Sequence, residues 1–305
     1  MCCYSVMLNV KEEVLIKTDI VMKSIRPASV PFFHLLLFFC AICLFISCVQ
    51  TTVPVKMDKL AEPNMISFKS TSATNIFTGP LTLTGSLKKP AGDGPFPAVV
   101  LLHGCGGIQP KRDHRWAERL SDWGYVTLQV DSLGPRGISS VCTYSGNDSV
   151  DIVQKRVNDA YDAKKYLVEL PFVDRNRIAI MGWSHGGFTT LEALYRNKEN
   201  PFRVAVALYP YCGRILTGVN APLLILIGEV DDWTPASRCA EMLPKEKTSP
   251  EVVLKVYPKA FHGFDTLGAN YMVRGSSGMH LLQYNPGAEA DSIIQVKAFF
   301  EKHLR

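Results

Sequence analysis

The chain has 305 residues, 47% of them hydrophobic and 20% charged, a balance that excludes disordered, collagen-like and coiled-coil classes and suits a chain that buries a core. Its 33 basic and 28 acidic residues leave a formal charge of +5, and the two signs interleave with no basic stripe, which argues against a nucleic-acid partner.

The first feature along the chain is an unbroken apolar run from Leu35 to Ile46. It has the length of a signal-peptide core and falls short of the roughly 18 residues that a membrane-spanning helix needs. Lys23 and Arg26 precede it, and Leu44-Phe45-Ile46-Ser47-Cys48 ends it with a small residue directly before a cysteine. That ending resembles a bacterial lipobox, which implies cleavage before Cys48, a lipid anchor on Cys48 and an exported, cell-envelope location. A plain secretory signal or an uncleaved anchor is the competing reading. The expected organisation is an upstream segment and signal peptide over residues 1–47, a tether over 48–63 and one domain over 64–305. Four cysteines other than the anchor remain beyond the leader: Cys105, Cys142, Cys212 and Cys239. An oxidising compartment permits them to pair, in one of three complete arrangements, and the reading leans to Cys212 with Cys239 or with Cys142. No pair has metal-site spacing, so no metal is expected.

Leu81 to Leu87 alternates as a half-buried strand does, and the run from Pro90 to Pro97 reads as a loop or hairpin. Short apolar runs then recur at Ala98–Leu102, Tyr125–Val130, Arg177–Met181, Val204–Leu208, Leu223–Ile227 and Val252–Tyr257. Each is rich in Val, Ile and Leu and bounded by Gly, Pro or Asp, which predicts strands of a parallel sheet buried on both faces. Between them lie helical stripes: Trp116, Leu120 and Trp123, then Val153, Val157, Ala160 and Leu167 behind the N-cap candidate Ser149. A last helix over about Ala288 to His303 carries Ile293, Val296 and Phe300 inward. Phe264 to Tyr284, rich in Gly, Ser and Asn, is expected to be a lid or a plain surface loop. Strands alternating with helices predict an α/β fold, a mostly parallel, doubly wound sheet flanked by helices.

Gly182-Trp183-Ser184-His185-Gly186 follows the strand ending at Met181 and precedes a helical pattern. In that context G-x-S-x-G reads as a nucleophile elbow, whose sharp turn tolerates no side chain two residues to either side of the serine. A serine hydroxyl needs a base, and the base needs a carboxylate that orients it. His262 stands on the loop after the strand Val252–Tyr257, at the carboxyl end of the sheet, which makes it the candidate base. Glu229, Asp231 and Asp232 compete for the acid after Leu223–Ile227, with Asp232 also readable as a solvated charge or a helix cap. Gly104 to Gly107 follows Leu102, so the oxyanion hole is assigned to the backbone amides of Cys105 and His185. The Cys105 side chain reads as a small buried filler. Trp183, Trp233 and Phe261 flank these residues and are expected to line an apolar substrate pocket, or else to be ordinary core aromatics.

Taken together, His103 to Gly107, Asp131 to Gly137, the Ser184 elbow, Asp231 to Pro235 and Ala260 to Phe264 resemble the dienelactone hydrolase family of α/β-hydrolases over about residues 80–304. The resemblance implies the α/β-hydrolase fold, Asp231 as the acid, and Arg136 as a ligand for a substrate carboxylate. It is a serine variant, since the best-known members carry cysteine in the elbow, and no second arginine follows His262 between Asp265 and Leu267. The expected activity is hydrolysis of a small carboxylic ester or lactone through an acyl-enzyme, with no cofactor. A peptidase or acyltransferase on the same fold, or a non-catalytic binding lipoprotein, are the rivals.

Overall fold

A computed structural model describes residues 64–75, 79–195, 200–213, 216, 218–243 and 250–304. The leader, the tether and the expected anchor Cys48 lie outside the described residues. Among those described, no helix is long and apolar enough to cross a membrane.

Strands β1 (Asn64–Asn75), β2 (Gly79–Lys88), β3 (Phe96–Leu102), β4 (Val126–Asp131), β5 (Val173–Trp183), β6 (Ala205–Leu208), β7 (Leu223–Gly228) and β8 (Val252–Tyr257) form one eight-stranded sheet in the order β1-β2-β4-β3-β5-β6-β7-β8. β2 pairs antiparallel with β1 and β4, and every neighbouring pair from β4 to β8 is parallel. The helices that flank the sheet are α1 (Asp113–Asp122), α2 (Gly146–Val168), α3 (His185–Ala193), α4 (Ala236–Met242) and α5 (Pro286–Leu304). β9 (Asn270–Gly275) and β10 (Gly278–Gln283) make a separate antiparallel hairpin.

The apolar runs are buried because the sheet is covered. Ala98 to Leu102 in β3 and Leu223 to Ile227 in β7 are at most 2% exposed, and each such Leu, Ile or Val contributes about 1.5–3 kcal/mol over leaving it in water. β8 departs from the expectation: most of it is only half-buried, because it is the edge strand. α1 packs beside α5 through the Arg115–Glu289 ion pair at 2.7 Å. α2 packs beside α3, where the Tyr161 hydroxyl donates to the Ala193 carbonyl at 2.8 Å.

β3 is the first of the parallel strands. The chain passes from it to β4 on one side and then to β5 on its other side. The order therefore reverses between β3 and β5, and a crevice opens beyond their carboxyl ends, the usual place for a ligand in an open α/β sheet. Leu102 and Gly182 are register partners there, so the loop after β3 and the turn after β5 start side by side.

Four expectations are corrected. α2 begins at Gly146, with Ser145 rather than Ser149 at the N-cap, so that Asp148 falls in the first turn and faces the positive end of the helix. β5 begins at Val173, because Val173 pairs with Phe96 ahead of the polar stretch Asp174 to Asn176. The segment Phe264 to Tyr284 is mostly the β9–β10 hairpin. The disulfides join Cys105 to Cys142 and Cys212 to Cys239, so Cys142 does not reach Cys212 and Cys105 is a cross-link rather than a filler.

Candidate active site

Ser184 joins β5 to α3 with φ 54° and ψ −116°, a conformation that costs a non-glycine residue on the order of 1–3 kcal/mol. Its surroundings hold it there. Its N–H donates to the Leu208 carbonyl at 2.9 Å, and its carbonyl accepts from the Phe188 N–H at 2.8 Å. A Cβ at Gly182 would strike the Gly186 carbonyl, and one at Gly186 would strike the carbonyls of Leu102 and His103. The two glycines are there for close approach of backbones, and the approach brings the elbow against the loop after β3.

The hydroxyl that this turn presents lies 2.8 Å from His262 Nε2. On the other edge of the imidazole, Nδ1 lies 2.8 Å from Asp231 Oδ2. His262 is 2% and Asp231 3% exposed, so the relay is shielded from water while Ser184 is only half-buried. The His262 loop is fastened to the hairpin, where Gln283 N–H donates to the His262 carbonyl at 3.1 Å. Asp231 Oδ1 accepts the N–H groups of Trp233 and Thr234 at 2.9 and 2.8 Å, and the Thr234 hydroxyl lies 2.9 Å from Oδ2. Burial alone would raise the Asp231 carboxyl, but the facing His262 and these hydrogen bonds outweigh it and hold the group below the usual carboxylate range. An ionised Asp231 fixes the Nδ1–H tautomer of His262 and leaves Nε2 as the acceptor for the serine proton.

Cys105, His185 and Ser184 line one cavity of about 550 Å³. His185 is the first residue of α3, so its N–H has no acceptor within the helix. Phe188, Tyr211 and Trp233 give the cavity aromatic walls, with the Trp233 ring 5.1 Å from that of His262. No lysine or arginine is among the described residues that line it.

The other expected pocket residues are elsewhere. Arg136 does not reach the cavity: its guanidinium forks onto Asp159 at 2.8 and 2.8 Å and donates to the Ser132 carbonyl at 2.6 Å. A buried carboxylate has already taken the fork that a substrate would need. Trp183 is fully buried and its indole N–H donates to Asp265 at 2.9 Å, which makes it a core residue. Phe261 is half-buried and does not line the cavity. Asp232 does not cap α4, whose N-cap is Pro235 without a side-chain hydrogen bond.

Two supporting groups carry no sequence motif. Arg156 is fully buried and donates to His185 Nδ1 at 2.6 Å and to the His103 carbonyl at 2.5 Å, so it ties the residue after Ser184 to the start of the loop that holds Cys105. Burial, then the Arg156 charge, pulls the His185 imidazole down to about 3, so it is neutral. Asp265 accepts from Trp116, Trp183 and Tyr209 at 2.8, 2.9 and 2.6 Å, and the Tyr209 ring meets that of His262 in a T-shaped arrangement with centroids 4.7 Å apart.

Comparison with known proteins agrees with this architecture. The sequence model of the dienelactone hydrolase family matches residues 83–304. Dipeptidyl peptidase 8 of Mus musculus is 29% identical over 160 residues, which are 48% of this chain and 17% of that protein. The chain spans between 9% and 20% of the length of such curated relatives. The dienelactone hydrolase of Anabaena variabilis superposes with a TM-score of 0.53 at 20% identity, over 80% of this chain and all of that one. A dienelactone hydrolase-like promiscuous phosphotriesterase from metagenomic libraries gives 0.57 at 19% identity, over 80% and 100% of the two chains.

Proposed function

The chain belongs to the dienelactone hydrolase family, and from that premise we propose that it is a serine hydrolase that cleaves carboxylic esters or lactones through an acyl-enzyme on Ser184. The observation that carries the proposal is the continuous hydrogen-bonded line from Ser184 through His262 to Asp231, opening on a cavity at the switch point of the sheet.

In the first half-reaction His262 Nε2 takes the Ser184 proton as Oγ bonds to the carbonyl carbon. Asp231 stabilises the imidazolium that forms. The amides of Cys105 and His185 hold the oxyanion, each such donor being worth roughly 3–4 kcal/mol of barrier. Collapse breaks the carbon–oxygen bond and His262 returns the proton to the leaving alkoxide. A water molecule then repeats the cycle on the acyl-enzyme and regenerates the serine. The cavity offers no cation for an acyl carboxylate among its described residues, which favours an uncharged ester over a dienelactone carboxylate.

The likeness to dipeptidyl peptidase 8 supports one second reading, cleavage of an amide by the same three residues. Paired substrates separate the two: a short-chain nitrophenyl ester and the nitroanilide of the same acid. The protein should turn over the ester far faster than the anilide, and Ser184→Ala should lower kcat for the ester by roughly 10⁴- to 10⁶-fold. Unchanged turnover in that variant would exclude the serine mechanism.

A further inference from the structure

A second hydroxyl in the cavity is held by its own imidazole. Ser276 and Ser277 form the turn of the β9–β10 hairpin and both line the cavity that holds Ser184. Ser277 Oγ lies 2.9 Å from Nε2 of His280, which is 7% exposed. His280 stacks on Trp233, with ring centroids 5.0 Å apart and planes 10° from parallel, and the same indole also meets the His262 ring. The turn is built into place. The Ser276 N–H donates to the Cys142 carbonyl at 3.2 Å. A Cβ at Gly275 would come within 2.8 Å of Trp233 Nε1 and 3.0 Å of His280 Cδ2.

The tautomer follows from the groups around the ring. His280 Nδ1 is buried, has no hydrogen-bond partner, and faces Asp232 Oδ1 at 3.6 Å. In the neutral ring a lone pair on Nδ1 would be repelled by that carboxylate, so Nδ1 carries the proton and Nε2 accepts. Ser277 then donates its only proton to Nε2, which leaves the oxygen of this cavity-lining side chain able only to accept from a ligand. We infer that Ser277 is a specificity residue, a fixed hydrogen-bond acceptor for a hydroxyl or amide N–H on the alcohol side of the substrate. The alcohol side is assigned because Trp233 places this turn next to His262, which protonates the leaving oxygen. His280 is a positioning residue that sets the polarity of the hydroxyl. This inference rests on the proposed ester hydrolysis for its choice of substrate side.

The test is made by binding, so that it does not need turnover. Benzoate esters of C2 to C6 diols are titrated calorimetrically into the Ser184→Ala protein, each against its monomethyl ether. At one or more chain lengths the free hydroxyl should bind about three- to tenfold tighter than the ether, the range of one net hydrogen bond. Adding Ser277→Ala should bring that ratio to about one. His280→Phe keeps the stack but frees the Ser277 proton, and should lower the ratio by tightening the ether. A ratio near one at every length, or a preference that Ser277→Ala leaves unchanged, overturns the inference. Failure of the protein with Ser184 intact to hydrolyse the same esters would sink the hydrolase proposal instead, and leaves the binding result standing by itself.

Discussion

Arg156 sits fully buried between His185 and His103, and with it the protein keeps two imidazoles uncharged in its interior. His103 donates from Nδ1 to the Gly104 carbonyl at 2.7 Å and accepts the Ser132 N–H at Nε2 at 3.3 Å, a pattern only the neutral ring can make, and burial holds it well below the ordinary histidine range. Both folded-state values are lowered, so the unfolded chain binds more protons once the pH falls below about 6.5 and stability declines with it. His185, held at about 3, should alone remove about 2–3 kcal/mol of stability between pH 7.5 and 4.5. Denaturant midpoints at the two pH values check this. His185→Gln, which can still accept from Arg156, should flatten the decline; parallel declines in the two proteins would contradict it. The comparison isolates the imidazole, since Asp265, whose carboxyl burial pushes up, acts in the opposite sense in both proteins. At this scale Ser184 and His262, which the structure joins in one hydrogen-bonded line with Asp231, were readable from an elbow motif and a strand end, whereas Asp231 was set apart from Glu229 and Asp232 only by the family resemblance. Arg156, Asp265 and Ser277 stand at none, and only the fold tells which side chains they meet. Arg136 was misleading for the same reason: its place in the motif is visible, but its partner Asp159 lies on another element.

At the scale of elements, two disulfides among the described residues brace two different parts of the frame. Cys105–Cys142 links the loop after β3, which presents the Cys105 amide, to the loop before α2, while Cys212–Cys239 joins the segment after β6 to α4. Replacing either pair by serines should cost about 2–5 kcal/mol of stability. Only the first pair should also lower kcat per folded molecule, because only it holds a loop of the proposed oxyanion hole. Titrating active sites alongside ester turnover in the two double variants separates the effects. Equal kcat in both would show that Cys105 needs no brace. The strands buried on both faces were legible because a short unbroken apolar run is stable only where both of its faces are covered. β1 was not, since its inward positions Ile66, Phe68 and Ser70 mix polar with apolar, and the buried Ser70 donates to Asp159 at 3.0 Å. The β9–β10 hairpin read as a lid or a surface loop because Tyr271 and Met272 are exposed and its serines and glycines are there to serve a turn.

For the molecule as a whole, chain order and sheet order together decide where chemistry can occur. Reversal of the strand order at β3 sets the loop of Cys105 against the elbow of Ser184, and β7 and β8 deliver Asp231 and His262 to the same rim. The family match covers the span from β2 to α5 that builds this rim. The central claim, that these parts make Ser184 a nucleophile, is tested most directly by mass spectrometry of the protein after reaction with a fluorophosphonate. One adduct should form and map to Ser184, be absent from Ser184→Ala, and form on the order of 10⁴-fold more slowly in Asp231→Asn. No adduct on the intact protein, or an adduct on any other residue, would contradict the account.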